Sequence, residues 1–364
     1  MGHGYQLLGT HHVELCVGNA KQAAYYYQKA WGFEFVAYQG LETGHRNRIS
    51  YVLKQNQIRL VLTSPLGPGG PLNAYLDRHG DGVRDIAFIT TDAEAAFAST
   101  TSRGAEPIQK PTELRDESGS AVVATIRAYA DVRHTFVQSE GYGAPHLPGF
   151  RAPVGLVQRV EPTGLRYIDH VVNNTSVGDM EKTVRWYQDV FGFHRFWSAD
   201  DKDIRTEHSS LASIVVANDN ERIKMPVNEP APGLRKSQIQ EYLDYNIDAG
   251  VQHLAMRTDD IITTVRKLRD NGVEFLEVPD AYYEGLRERV GDIREPTEAL
   301  REHGILVDRD EQGYLLQLFT MPVQNRPTLF YEIIQREGSE SFGKGNFKAL
   351  FESIEREQAR RGNL

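Results

Sequence analysis

HVELCVGNAKQAAYYYQKAWGFEFV, residues 12–36, and HVVNNTSVGDMEKTVRWYQDVFGFHRFW, residues 170–197, decide the fold, because they are two copies of one pattern. Each opens on His-Val in an apolar strand. Each then runs into a helix with aromatic residues near its end. Each closes on a Gly-Phe turn, Gly32-Phe33 and Gly192-Phe193, into a second strand. The correspondence resumes at GVRDIAF (82–88) and GVQHLAM (250–256), each followed by an acidic helix start, Thr91-Asp92 and Thr258-Asp259. Asp259 is the expected N-cap of the later helix, and Ile261, Ile262, Val265 and Leu268 give it an apolar face of helical period. Self-similarity over this length marks a duplicated domain. The Pro- and Gly-containing stretch 141–164 is the expected linker, so the domains are expected at 1–150 and 160–364.

Composition narrows the class. The chain has 364 residues, enough for two ordinary domains. Its formal charge of −9 argues against nucleic acid as a main partner, since phosphate binding wants a basic face. The single cysteine, Cys16, excludes an intrachain disulfide and fits a reducing cytoplasm. The first ten residues lack a basic region followed by an apolar run, so no signal peptide is expected. No apolar stretch is long enough to suggest a membrane-spanning helix.

Three polar residues stand alone inside apolar segments of the second half: His170 in YIDHVV, His253 in VQHLAM and Glu332 in LFYEII. A lone strand histidine is ordinarily satisfied by a hydrogen bond. A carboxylate in an apolar strand is costly unless something compensates it, and a cation does so most simply. Two imidazoles and one carboxylate are also the donor set of the facial triad that binds non-haem Fe(II) with coordination positions open. The repeat supplies a control. His12 stands at the place of His170, but Asp85 stands at that of His253, and the closest alignment of 133–140 with 326–333 sets Ser139 opposite Glu332. A full donor set in one half only points to a single metal site, in the second.

The C-terminal half resembles the 4-hydroxyphenylpyruvate dioxygenases. The resemblance is carried by MPVNEPAPGLRKSQIQEYLDYN (225–246), GVQHLAMRTDDI (250–261), GILVDRDEQGYLLQLFTMPVQNRPTLFYEIIQR (304–336) and FGKGNFKALFESIEREQARRGNL (342–364); the N-terminal half resembles the family mainly through its repeat pattern. That family belongs to the vicinal-oxygen-chelate group, so the resemblance implies an α+β protein of two domains of paired βαβββ modules. It implies an open barrel around the metal in the C-terminal domain only. It also implies conversion of 4-hydroxyphenylpyruvate and O2 to homogentisate and CO2 in tyrosine and phenylalanine catabolism, with Fe(II) as cofactor and a homo-oligomer, dimer or tetramer, as the assembly. His170, His253 and Glu332 match the family's iron ligands. Ser213, Asn228, Gln238, Gln252 and Gln317 match its polar pocket residues, and among them Gln238, Gln252 and Gln317 are assigned to catalysis. Phe319, Phe330 and Phe347 match its aromatic walls.

Several of these matches carry a local expectation. Phe330 lies two residues before Glu332 and on a strand faces the same side. Gln252 adjoins His253 and on a regular strand faces away from it unless a bulge intervenes, so support of the ligand from behind stands as an alternative to direct substrate binding. Gln238 falls on what reads as a surface helix with Gln240 and Glu241. Phe347, Leu350, Phe351 and Ile354 form one face of a C-terminal helix that Asn346 is placed to cap. Glycines 343 and 345 before it suit a movable lid, and the resemblance implies a gating helix there.

The alternatives are 4-hydroxymandelate synthase, with the same substrate, metal and ligands, and an extradiol catechol dioxygenase. Pro226, Asn228 and Phe319 stand as in the ring-attacking dioxygenases. An extradiol enzyme needs further His and Tyr acid/base groups in the pocket, for which the candidates are His194, His208 and Tyr331. A metal-free binding protein on the same repeat is disfavoured by the intact donor set.

Overall fold

The computed structural model describes residues 4–153, 160–199, 210–231, 233 and 235–363. The N-terminal half contributes β1 (Leu7–Cys16), α1 (Ala20–Trp31), β2 (Glu34–Gln39), β3 (Arg48–Gln55), β4 (Ile58–Pro65), α2 (Gly70–His79), β5 (Gly82–Thr90), α3 (Ala93–Ser102), β6 (Pro107–Asp116), β7 (Gly119–Arg127) and β8 (Arg133–Gln138). The C-terminal half repeats the order with β9 (Leu165–Asn174), α4 (Met180–Phe191), β10 (His194–Ala199), β11 (Ser210–Ala217), β12 (Lys224–Ala231), α5 (Gln238–Asn246), β13 (Gly250–Thr258) and α6 (Ile261–Asp270). It then inserts α7 (Leu286–Val290) and α8 (Thr297–Glu302) before β14 (Leu306–Arg309), β15 (Tyr314–Phe319), β16 (Phe330–Glu337) and the terminal α9 (Phe347–Arg360).

Each half folds into one eight-stranded sheet, ordered β2-β3-β4-β1-β5-β8-β7-β6 and β10-β11-β12-β9-β13-β16-β15-β14. The two orders are identical, as duplication requires. Within each sheet two βαβββ units meet at their first strands, β1 against β5 and β9 against β13, both antiparallel. The end strands do not pair with each other, which leaves each sheet an open barrel.

The repeated Gly-Phe turns have a backbone cause. Gly32 and Gly192 end α1 and α4 with φ of 71° and 74°, and each N–H closes the last helical turn. A side chain there is strained by the left-handed conformation. At Gly32 it would also meet the carbonyl of Glu161 at 2.5 Å, where the chain crosses between the halves.

The two sheets share one apolar core. Tyr27 of α1 touches Tyr331 of β16 hydroxyl to hydroxyl at 2.6 Å, and Tyr187 of α4 meets His134 of β8 at 2.9 Å. Alternation along β16 therefore turns Tyr331 into the seam between halves and leaves Phe330 and Glu332 to the barrel interior.

The structure corrects four details of the sequence reading. Thr135, not Ser139, is the counterpart of Glu332: β5 and β8 pair Asp85 with Arg133 and Phe88 with Phe136, while β13 and β16 pair His253 with Phe330 and Ala255 with Glu332. The N-cap of α6 is Asp260, accepting from Thr263 N at 3.0 Å, whereas Asp259 reaches Arg166 at 3.2 Å. Asn346 precedes α9 without capping it, because its Oδ1 accepts from Tyr282 Oη at 2.7 Å. The first part of the expected linker belongs to the N-terminal barrel: Arg151 bridges to Tyr38, and Leu147 and Phe150 pack against Ala87, Val123 and Val137. None of the helices among the described residues is long and apolar enough to cross a membrane.

Candidate metal centre and pocket

Three neighbouring strands bring the separated polar residues together. His170 on β9, His253 on β13 and Glu332 on β16 offer donor atoms within 4.8 Å of one another, and all three are buried. Both imidazole Nε2 atoms converge on one carboxylate oxygen, Glu332 Oε2, at 3.2 Å from His170 and 3.3 Å from His253. Two bulges make this possible. Val251 pairs with Asn173 and His253 with Val172, so Gln252 is an extra residue on β13; a second register shift falls at Asp169, between Ile168 and His170. A bulge lets two consecutive residues serve one site. Gln252 therefore lines the pocket beside His253, and its Oε1 sits 3.0 Å from His253 Nδ1. Asp169 lies 2.8 Å from His170 Nδ1 and takes a two-pronged bond from Arg336 at 2.8 and 2.9 Å. With each Nδ1 engaged from behind, each Nε2 lone pair points to the centre.

The charges follow from these contacts. Burial works against ionising Glu332, but the two histidines outweigh it and bring the carboxyl down to about 2. Burial likewise opposes charge on His170, but Glu332 and Asp169 together raise it. His253 has an amide behind it in place of a carboxylate, so burial wins and its value falls. Asp169 is held well below the usual carboxylate range: burial opposes this, and Arg336 and His170 outweigh burial. A divalent first-row metal ion fits this set, with one charged and two neutral donors whose rear atoms are fixed.

The space above the donors is walled by Phe319, Phe330, Phe342, Trp197 and Phe347, with Ser213, Asn228, Gln238 and Gln252 as its polar members. Phe330 stacks on the His253 ring at 4.8 Å and 22°, and Phe319 meets it edge-on at 5.9 Å. Ser213 and Asn228 are cross-strand partners, and Asn228 is also paired with Asn174. Gln238 is not on an open surface: as the first residue of α5 it is buried. Gln317 is not among the residues lining this space; its side chain lies against Gly343, where α9 leaves the sheet. Sequence reasoning missed Asp169, Arg336, Trp197 and Phe342. Asp169 precedes His170 and Arg336 lies four residues past Glu332, but only the fold shows that they meet. Of the extradiol candidates, Tyr331 is in the seam between halves, His194 is exposed, and His208 lies outside the described residues.

α9 closes the pocket. Phe347 and Phe351 pack with Leu211, Ile239 and Tyr242; Leu350 and Ile354 pack with Phe319 and Phe330. Arg361 reaches Glu241 at 2.8 Å, and Ser353 bonds Glu277 O at 2.8 Å. The cavity left over the donors is about 60 Å³, room for a few waters.

Comparison with known proteins agrees with this geometry. Models of the glyoxalase/bleomycin resistance protein/dioxygenase superfamily match residues 11–123 and 167–318. The chain is 49% identical to a 4-hydroxyphenylpyruvate dioxygenase of Dictyostelium discoideum, over 98% of this chain and 100% of the other. It is 48% identical to one from Xenopus tropicalis, over 99% and 93%. Among solved structures, a mutant of 4-hydroxymandelate synthase from Streptomyces coelicolor superposes with a TM-score of 0.86 at 35% identity, covering 97% of this chain and 99% of that one. Full-length identity near one half, on the same duplicated fold and around a His-His-Glu centre, places this chain in the 4-hydroxyphenylpyruvate dioxygenase family.

Proposed function

We propose that this chain converts 4-hydroxyphenylpyruvate and O2 to homogentisate and CO2, with an iron(II) ion held by His170, His253 and Glu332. The observation that carries the reading is a two-histidine, one-carboxylate centre at the floor of an aromatic pocket that a helix closes. Bound iron(II) supplies the open coordination positions at which a 2-keto acid and O2 react.

The chain's own residues do the rest. Asp169 and Gln252 hold the two imidazoles in one orientation. Phe319 and Phe330 present flat apolar surfaces beside His253, against which a phenyl ring stacks. Ser213, Asn228, Gln238 and Gln252 offer neutral donors and acceptors to the phenol and the carboxylate, so the substrate is oriented without another buried charge. Phe347, Leu350 and Phe351 exclude water while reactive species are present. Phe347, Leu350 and Phe351 of α9 form one wall of the pocket, so movement of this helix would govern entry and release.

The test is anaerobic reconstitution of the metal-free protein with Fe(II), then air and 4-hydroxyphenylpyruvate, with the product identified by mass and NMR. Homogentisate is expected. 4-Hydroxymandelate would keep the centre but move the chain to the synthase reaction of its structural neighbour. Oxygen uptake with catechols alone would overturn both.

A further inference from the structure

A second buried cluster, in the N-terminal half, has no part in that chemistry. His11 and His12 occupy a bulge on β1 that matches Asp169 and His170 on β9: His12 pairs with Ala87 as His170 pairs with Ala255. His146 reaches them from the segment that fills the N-terminal barrel. All three are buried, at 5%, 8% and 4% exposure, and their ligand atoms lie within 4.8 Å of one another. His11 Nδ1 and His12 Nδ1 are 2.7 Å apart, and the His146 ring lies 5.6 Å and 5.1 Å from the other two. His146 Nδ1 has no hydrogen-bond partner among the described residues, although it is fully buried. A buried nitrogen left without a partner is destabilising, so a partner is called for.

We propose that His11, His12 and His146 form a second metal site, for a nitrogen-preferring transition ion such as Zn2+ or Cu2+. The ligand type selects the ion: three imidazoles without carboxylate or thiolate suit zinc, copper or nickel and not magnesium or calcium. Burial keeps all three rings in the neutral form that donates a lone pair, pulling His12 down to about 4. Three neutral ligands leave the ion's charge uncompensated and its fourth position open to hydroxide or another anion. Arg59, whose Nε is buried and also without a partner among the described residues, is near enough for its charge to act on all three rings. It stands with His11 on the wall of a cleft of about 430 Å³ between the halves, which gives an ion its way in. A plain hydrogen bond between His11 and His12 accounts for their short contact but leaves the His146 nitrogen unexplained.

The test uses the full chain without a histidine tag. His253→Ala/Glu332→Ala removes the C-terminal donors, and the chelator-treated protein is titrated with Co2+. One equivalent is expected to bind with the visible absorption of low-coordinate cobalt, and adding His146→Gln is expected to abolish it. Wild-type protein is expected to take up two equivalents of Zn2+ by elemental analysis, falling to one in His146→Gln. No Co2+ uptake in the double variant would overturn the proposal whether or not the His146 variant folds. Undiminished uptake after adding His146→Gln would overturn the assignment to this cluster.

Discussion

At the residue scale, Glu332 and Asp85 show how burial is resolved in two ways at corresponding depths of the two barrels. Glu332 is flanked by two imidazoles and stays ionised, with its carboxyl down at about 2. Replacing it with Ala removes the anionic member of the His-His-Glu set, and loss of bound metal with at least ~1,000-fold loss of turnover is expected; near wild-type activity would contradict the ligand assignment. Asp169 acts one step back. Asp169→Asn is expected to weaken metal binding by about 10–100-fold through His170, read by competition with a chelator. Asp85 is set instead beside Glu14, Thr135 and Arg133. Burial and the nearby Glu14 push its carboxyl up to about 7, despite two bonds from Thr135 and the charge of Arg133. Its folded value lies above the unfolded one. The associated stability is therefore full below the ordinary value of 3.8 and is lost progressively as pH rises from there to about 7. Asp85→Asn is expected to raise unfolding stability at pH 8 by more than about 1 kcal/mol and by a clearly smaller amount at pH 5, with turnover kept. An equal effect at both pH values would show that ionisation is not the cause.

At the scale of elements, α9 is held by apolar contacts on two sides and by a polar latch at its end. Glu241 is buried in α5, and Arg361 and Asn363 both bond to it. Removing the guanidinium leaves the closed pose weaker by about 1–2 kcal/mol, a roughly 5–30-fold larger open population. Arg361→Ala should speed amide exchange across residues 347–360 by that factor; unchanged exchange would mean that the latch does not hold the helix. The bulges belong to this scale too. The alternation rule turns Gln252 away from His253, and the extra residue in β13 reverses that outcome.

At the scale of the whole molecule, the halves are joined by a common core and by paired hydroxyls, not merely by a linker. Tyr331→Phe leaves Tyr27 Oη buried without its partner, which costs about 1–3 kcal/mol by denaturant unfolding. Adding Tyr27→Phe should restore part of that loss, and a strictly additive double variant would show that the hydroxyls are not coupled. We further propose domain limits near 150 and 160. On that division an isolated 160–364 fragment exposes Tyr187, Phe191 and Tyr331, which the other half covers.

The sequence by itself determined the duplication, the module order, the three convergent donors and the family. Strand periodicity, glycine turns and lone polar residues in apolar strands are local signals, and local signals survive in one dimension. Tertiary structure alone decided which residues stand opposite one another. Thr135 answers Glu332, Gln252 turns inward, Arg336 grips Asp169, Gln238 is covered, and residues 145–151 fill the barrel that lacks the His-His-Glu centre. Each depends on a register shift or on packing between segments far apart in the chain. A one-residue slip in either changes which face a side chain serves, and no spacing in the sequence records it.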